Sequence, residues 1–151
     1  MIHRIVGVFL IIVALIVAVH TVIEPLYYTS TDASPYSPQW TWINYITAVG
    51  VLIGILYALR RKRGARLEKD SPVTVGYLAA NVVFYGFLFV GILFFFNWFG
   101  LFSVDRFTAV DPSAASIIWI IVDAGFPLLA GALGYSLCCG SSGGDSDDSE
   151  E

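Results

Sequence analysis

Asp123 is the residue whose chemistry stands out. Residues 116–127 read SIIWIIVDAGFP, an apolar run with one acid inside it. An ionisable side chain at the centre of a membrane helix costs roughly 2.5–3.5 kcal/mol on insertion scales, so it turns towards protein, water or a partner rather than lipid. Three roles suit such an acid: a hydrogen-bonded pin between helices, a contact for a basic residue on another protein, and a proton or cation site in a transporter. Pro127 adds local polarity, because it withholds the amide hydrogen that the carbonyl of Asp123 would otherwise accept.

Partners for Asp123 are sought at helical spacing. Tyr77, Asn81 and Tyr85 recur every four residues and so share one helix face. At about 1.5 Å per residue, Tyr85 falls near mid-membrane, at a depth similar to that of Asp123. The expected site is an intramembrane polar cluster of Asp123, Tyr85 and Asn81, with Tyr77 continuing the stripe. No intramembrane base is available to pair with the acid.

Other groups offer weaker chemistry. His20 and Glu24, four apart, present two potential metal ligands on one face, which is half a site; the reading is an interfacial histidine beside a helix-end acid. His3 lies at the opposite end of the same helix. Cys138 and Cys139 are adjacent, so they make neither a disulfide framework nor a spaced metal motif. They read as small hydrophobes at a helix end. No metal and no cofactor is expected. Walker, Rossmann and nucleophile motifs are missing, no set of converging catalytic groups can be assembled, and nucleic acid is not an expected partner.

Composition dictates the setting. Of 151 residues, 57% are hydrophobic and only 13% charged, with a mean hydropathy of +0.75; soluble domains carry about 25% charged residues. The apolar residues fall into four blocks, each matching the roughly 20 helical residues that cross a bilayer core. They lack the alternation of a membrane β-barrel. The fold class is therefore all-α, a four-helix transmembrane bundle over residues 1–139, followed by an acidic, disordered tail over 140–151. Arg outnumbers Lys six to two, a balance that with the acidic tail is similar in style to membrane proteins of salt-adapted microbes.

The expected helices cover about 5–23, 38–59, 72–96 and 112–137. The first begins after His3 and Arg4 in the manner of a signal peptide. It is long for one and lacks a good cleavage site, so it reads as retained, ending at Pro25. The other three share a start signal: Ser37-Pro38, Ser71-Pro72 and Asp111-Pro112 each place a capping oxygen before a proline suited to the first helical turn. The connector between the first two helices is rich in proline and tyrosine. With Trp40, Trp42 and Tyr45 it forms an aromatic belt of the kind that sits at lipid headgroups. Arg60, Arg61, Lys62 and Arg63, with Arg66 and Lys69, mark the cytoplasmic side, which places both termini in the cytoplasm of a cell-membrane protein. The same cations suit anionic headgroups, so membrane lipid is an expected partner.

Packing faces follow from small residues. Gly50 and Gly54 form a GxxxG pair that admits a close neighbour. In the fourth helix, Ser116, Trp119, Asp123, Pro127, Ala130, Gly131 and Gly134 gather at i+3/i+4 spacing and should face the bundle. Ile117, Ile118, Ile121, Val122, Leu128, Leu129 and Leu133 should face lipid. The functional expectation is a non-enzymatic accessory subunit or self-associating scaffold acting through helix contacts, as a homo-oligomer or with another membrane protein. The alternative is a small oligomeric transporter or channel with Asp123 as its proton or cation site.

Overall fold

The computed structural model describes residues 1–31, 34–65, 73–102 and 112–140. It is all-helical: α1 (Ile2–Tyr27), α2 (Trp40–Gly64), α3 (Val75–Gly100) and α4 (Pro112–Cys139). All four are long and apolar enough to cross a membrane, consistent with a multi-pass membrane protein. The acidic tail beyond residue 140, Arg66, Lys69, the Ser71-Pro72 start, and Asp105, Arg106 and Asp111 lie outside the described residues.

The helices form an antiparallel ring. Helix α1 packs mainly on α4 and α2 mainly on α3; α3 meets α4, α1 meets α2, and the closer diagonal joins α2 to α4. One end carries Arg60, Arg61, Lys62 and Arg63 and is called here the basic end. The other carries the α1–α2 connector and is called the connector end.

Helix C-termini run beyond the apolar blocks, whereas α2 and α3 start at Trp40 and Val75, later than the expected Pro38 and Pro72. Pro25 does not end α1, which continues for two more residues; the amide of Tyr28 still reaches the carbonyl of Glu24 at 2.9 Å. A proline so near a helix end deletes only one bond of the ladder. Helix α2 continues through the arginines, where cations in the last turn complement the partial negative charge of the helix C-terminus. Helix α3 starts at Val75, and its cap is Thr74, whose Oγ1 accepts from the amide of Tyr77 at 3.2 Å. Helix α4 starts at Pro112 as expected.

The core is aromatic and tightly shared. Phe87, Phe94 and Phe126 are completely buried, together with Leu10, Val51 and Leu133. The Gly50/Gly54 face of α2 holds two of these rings. A Cβ on Gly50 would lie 2.9 Å from Cζ of Phe126, and one on Gly54 would enter the ring of Phe87. The GxxxG pair is thus filled from within the chain, by side chains of α4 and α3. Close backbone approach occurs elsewhere, between Gly7 of α1 and Gly134 of α4: a Cβ on either would lie 2.7 Å from the other's carbonyl oxygen.

The faces of α4 need correction. Trp119, Val122, Phe126, Ala130, Leu133 and Gly134 are buried, while Ile117, Ile121 and Leu128 are exposed. Val122 and Leu133, assigned above to lipid, are core residues. Phe126, left unassigned, lies at the centre, and Gly131 has open space where its side chain would be. In a bundle surrounded by lipid, burial selects residues that fit a neighbour. Polarity does not separate the two faces when both are apolar.

At the basic end, the arginine-rich last turn of α2 is tied to the other helices. Arg61 donates from Nη1 to Ser136 Oγ on α4 at 3.0 Å, and Lys62 donates from Nζ to Tyr85 Oη on α3 at 2.7 Å. Arg60 lies over the ring of Tyr57, whose edge also meets His3 of α1.

Candidate functional site: a two-carboxylate cavity

The site is built where α1 ends and α2 begins. Glu24, in the last turn of α1, points across to the start of α2. Its Oε1 accepts from the backbone amide of Ser37 at 2.9 Å and its Oε2 from the indole Nε1 of Trp40 at 2.8 Å. Charge-assisted bonds of this kind are among the stronger ones in proteins. The carboxylate also sits at the N-terminal end of α2, where a helix favours negative charge. Glu24 thus fastens the residues that lead into α2 without capping it: the N-cap is Gln39, and no side chain accepts from the first-turn amides that the Ser37 hydroxyl was expected to cap.

That hydroxyl is engaged with α1 instead. Ser37 Oγ and His20 Nε2 are 3.2 Å apart, and Tyr27 Oη lies 3.3 Å from His20 Nδ1. The His20 ring is buried and stands edge-on to Trp40, with centroids 4.7 Å apart. His20 and Glu24 do share a region, but both serve to fasten the connector. Among the described residues, no three of His, Cys, Asp and Glu gather as a metal site.

Below this clasp lies a cavity of about 660 Å³. Its rim at the connector end includes the exposed Ser34, Leu101 and Phe102. Its walls are Tyr36, Trp40, Tyr45, Trp98 and Trp119, with Thr21, Thr41, Asn44 and Ser116 as polar groups. Among the described residues its carboxyl groups are Glu24 and Asp123, and no Lys or Arg lines it. Asp123 is 11 residues into α4, about 16 Å from the helix start at 1.5 Å per residue, so the cavity descends to the middle of the bundle. A pocket of a few hundred Å³ with mostly apolar walls and a few polar groups is the usual form of a small-molecule site.

The two acids differ in engagement. Both oxygens of Glu24 are hydrogen-bonded. No hydrogen bond from a described residue reaches Asp123, which feels Glu24 as its neighbouring charge. Asn44 resembles Asp123 in this respect. It is only 7% exposed, makes no hydrogen bond to a described residue, and lines the same cavity. None of its amide atoms is both sealed from that space and unpartnered.

The expected cluster of Asp123 with Tyr85, Asn81 and Tyr77 is not assembled. Asn81 donates from Nδ2 to the backbone carbonyl of Tyr77 at 2.8 Å. Tyr85 is 56% exposed and its hydroxyl accepts from Lys62. The register of α3 against α4 explains the separation. Gly86 meets Leu129 and Gly125 meets Val90, which sets Asp123 level with residue 92. Tyr85 is seven residues nearer the basic end, or roughly 10 Å along the axis. On α3 the inward stripe is Ala80, Val83, Phe87, Val90, Phe94 and Asn97, and Tyr85 lies off it.

The remaining predicted residues divide cleanly. Gly50, Gly54, Ala130 and Gly134 are packed inside the chain; Gly131 and Pro127 are half-buried. Arg61 and Lys62 make the contacts described above. Cys138 approaches the carbonyl of Arg4 at 3.8 Å through its sulfur, and Cys139 is exposed. Reading the sequence overlooked Asn44, although its position carried a signal. It continues the stripe Thr47, Gly50 and Gly54 by one further turn towards the connector end. The chain matches no family model, no curated protein and no solved structure.

Proposed function

We infer that the protein is a non-enzymatic, multi-pass membrane protein that binds a cationic solute in the two-carboxylate cavity and carries it, with Asp123 as the cation site. The observation behind this reading is the cavity itself, which runs from the connector end to an acid in mid-bundle that has no protein partner among the described residues. A carboxylate desolvated to that degree gains from a counter-ion. The accessory-scaffold reading draws less support, because Gly50 and Gly54, its proposed contact face, are covered by Phe126 and Phe87 of the same chain.

In this reading the basic end lies in the cytoplasm, by the preference of Lys and Arg for that side, and the cavity opens on the opposite side. Passage to the basic half, which the Gly7/Gly134 crossing and the buried phenylalanines fill, takes place through a second arrangement of the helices or with a second copy of the chain. The test is electrical. Purified protein in liposomes is exposed to pulses of H⁺, Na⁺, K⁺ and organic ammonium ions while current is recorded. Wild type should carry current with at least one of them, and Asp123→Asn should abolish it while keeping the wild-type elution profile. Silence with every cation, or undiminished current in Asp123→Asn, contradicts the proposal.

A further inference from the structure

We propose that the cavity selects an organic ammonium ion carrying an apolar or aromatic group, in preference to a bare metal cation. This rests on the cation-carrier reading and names the class of solute. Three features of the site support it.

The acceptors are few and far from a metal shell. Both oxygens of Glu24 already accept from Ser37 and Trp40; of the lining carboxyl and carboxamide groups, Asp123 and Asn44 make no hydrogen bond to a described residue. Na⁺ or K⁺ bound to both groups would gain at most three protein oxygens, two from Asp123 and one from Asn44, and would need water for the rest of its shell. A primary ammonium has only three N–H donors to satisfy. Asp123 accepts from such a donor, and the carbonyl oxygen of Asn44 and water in the cavity are available to the others.

The walls suit a cation attached to carbon. Trp119, Trp98 and Tyr45 offer ring surface in the same cavity as the acceptors. Aromatic faces attract ammonium groups, the more strongly when water is excluded, and this is the common mode of organic-cation recognition. The same rings favour the apolar remainder of the ligand, which an inorganic ion lacks.

Size points the same way. A space of about 660 Å³ falls among cavities that enclose drug-sized molecules, and a bare cation would leave most of it to water.

The experiment is a binding titration of the full chain in detergent, following fluorescence of the tryptophans that line the cavity. The probes are 2-phenylethylammonium chloride, the neutral 2-phenylethanol, and NaCl as competitor. A saturable change is expected with the ammonium, at least about tenfold weaker with the alcohol, and not displaced by NaCl at equal ionic strength. Asp123→Asn should weaken ammonium binding about tenfold or more. Asn44→Ala, made in case the first variant misfolds, should weaken it severalfold. Equal response to alcohol and ammonium, displacement by Na⁺, or unchanged affinity in a folded Asp123→Asn protein overturns the proposal. The liposome currents separate the two claims. Ammonium binding without current retains the site and removes carriage, whereas current carried by Na⁺ without ammonium binding retains carriage and removes this solute class.

Discussion

Glu24 and Asp123 line one cavity, yet both oxygens of Glu24 are hydrogen-bonded while Asp123 has no hydrogen-bond partner among the described residues. Glu24 is anchored to the chain's own backbone and indole, and its work is to hold the connector and the start of α2. Asp123 is left available, at a depth where an available acid is costly. In the proposed function, that division gives structure to one carboxylate and binding to the other.

Glu24→Ala should therefore act on stability. It removes the acceptor for the Ser37 amide and the Trp40 indole, and hydrogen bonds to charged groups contribute about 1.5–3 kcal/mol each. A loss of about 2–4 kcal/mol is expected, since water at the rim offsets part of it. Amide exchange should rise at Ser37 and at the start of α2. Unchanged exchange there would show that the clasp is dispensable.

The α1–α4 crossing should tolerate no side chain. Gly134→Leu places atoms against the Gly7 carbonyl and Ile11, and overpacking of this kind costs about 1–3 kcal/mol or more. Gly131→Leu, three residues away with open space around it, should be neutral or slightly stabilising, since Leu favours helix over Gly by about 1 kcal/mol. Thermal or detergent-denaturant unfolding of the pair reads the contrast directly, and equal destabilisation would mean that the crossing is misplaced.

The Gly54 contact predicts a rescue. Gly54→Leu clashes with the buried ring of Phe87, so stability should fall. Adding Phe87→Ala should recover much of it, because the new side chain occupies the space vacated by the ring. Residues in contact couple by about 0.5–3 kcal/mol in such cycles. Additive losses would argue that Gly54 meets a different neighbour, such as a second copy of the chain.

Much of this architecture is legible in the sequence. Four apolar blocks and the single mid-helix acid identify the bundle and its most informative residue; of the expected proline starts, Pro112 opens α4, whereas α2 begins two residues after Pro38. The partners of that acid were not legible, for two physical reasons. Depth counted from the apolar blocks is offset, because α3 starts at Val75 and not at 72. Tyr85 lies ten residues into α3 and Asp123 sixteen from the far end of α4, and these offsets separate two residues that both look central. Orientation was inferred from polarity, yet Tyr85 points away from the inner stripe and finds Lys62. Where both faces of a helix are apolar, the inward stripe is picked by fit, as the burial of Val122 and Leu133 beside the exposed Ile121 and Leu128 illustrates. Glu24 was visible as a helix-end acid, but its role needed the connector to fold back on α1.

The most direct test of the central claim is reach. With Cys138 and Cys139 replaced by serine, Asp123→Cys is exposed in sealed vesicles to a membrane-impermeant, cationic methanethiosulfonate. Ala130→Cys, fully buried in the basic half of α4, serves as the control. Modification of position 123 from the connector side, with position 130 unmodified, is the predicted result. No modification at 123 from that side, or modification at 123 and 130 alike, would contradict a cavity that leads from the connector to Asp123.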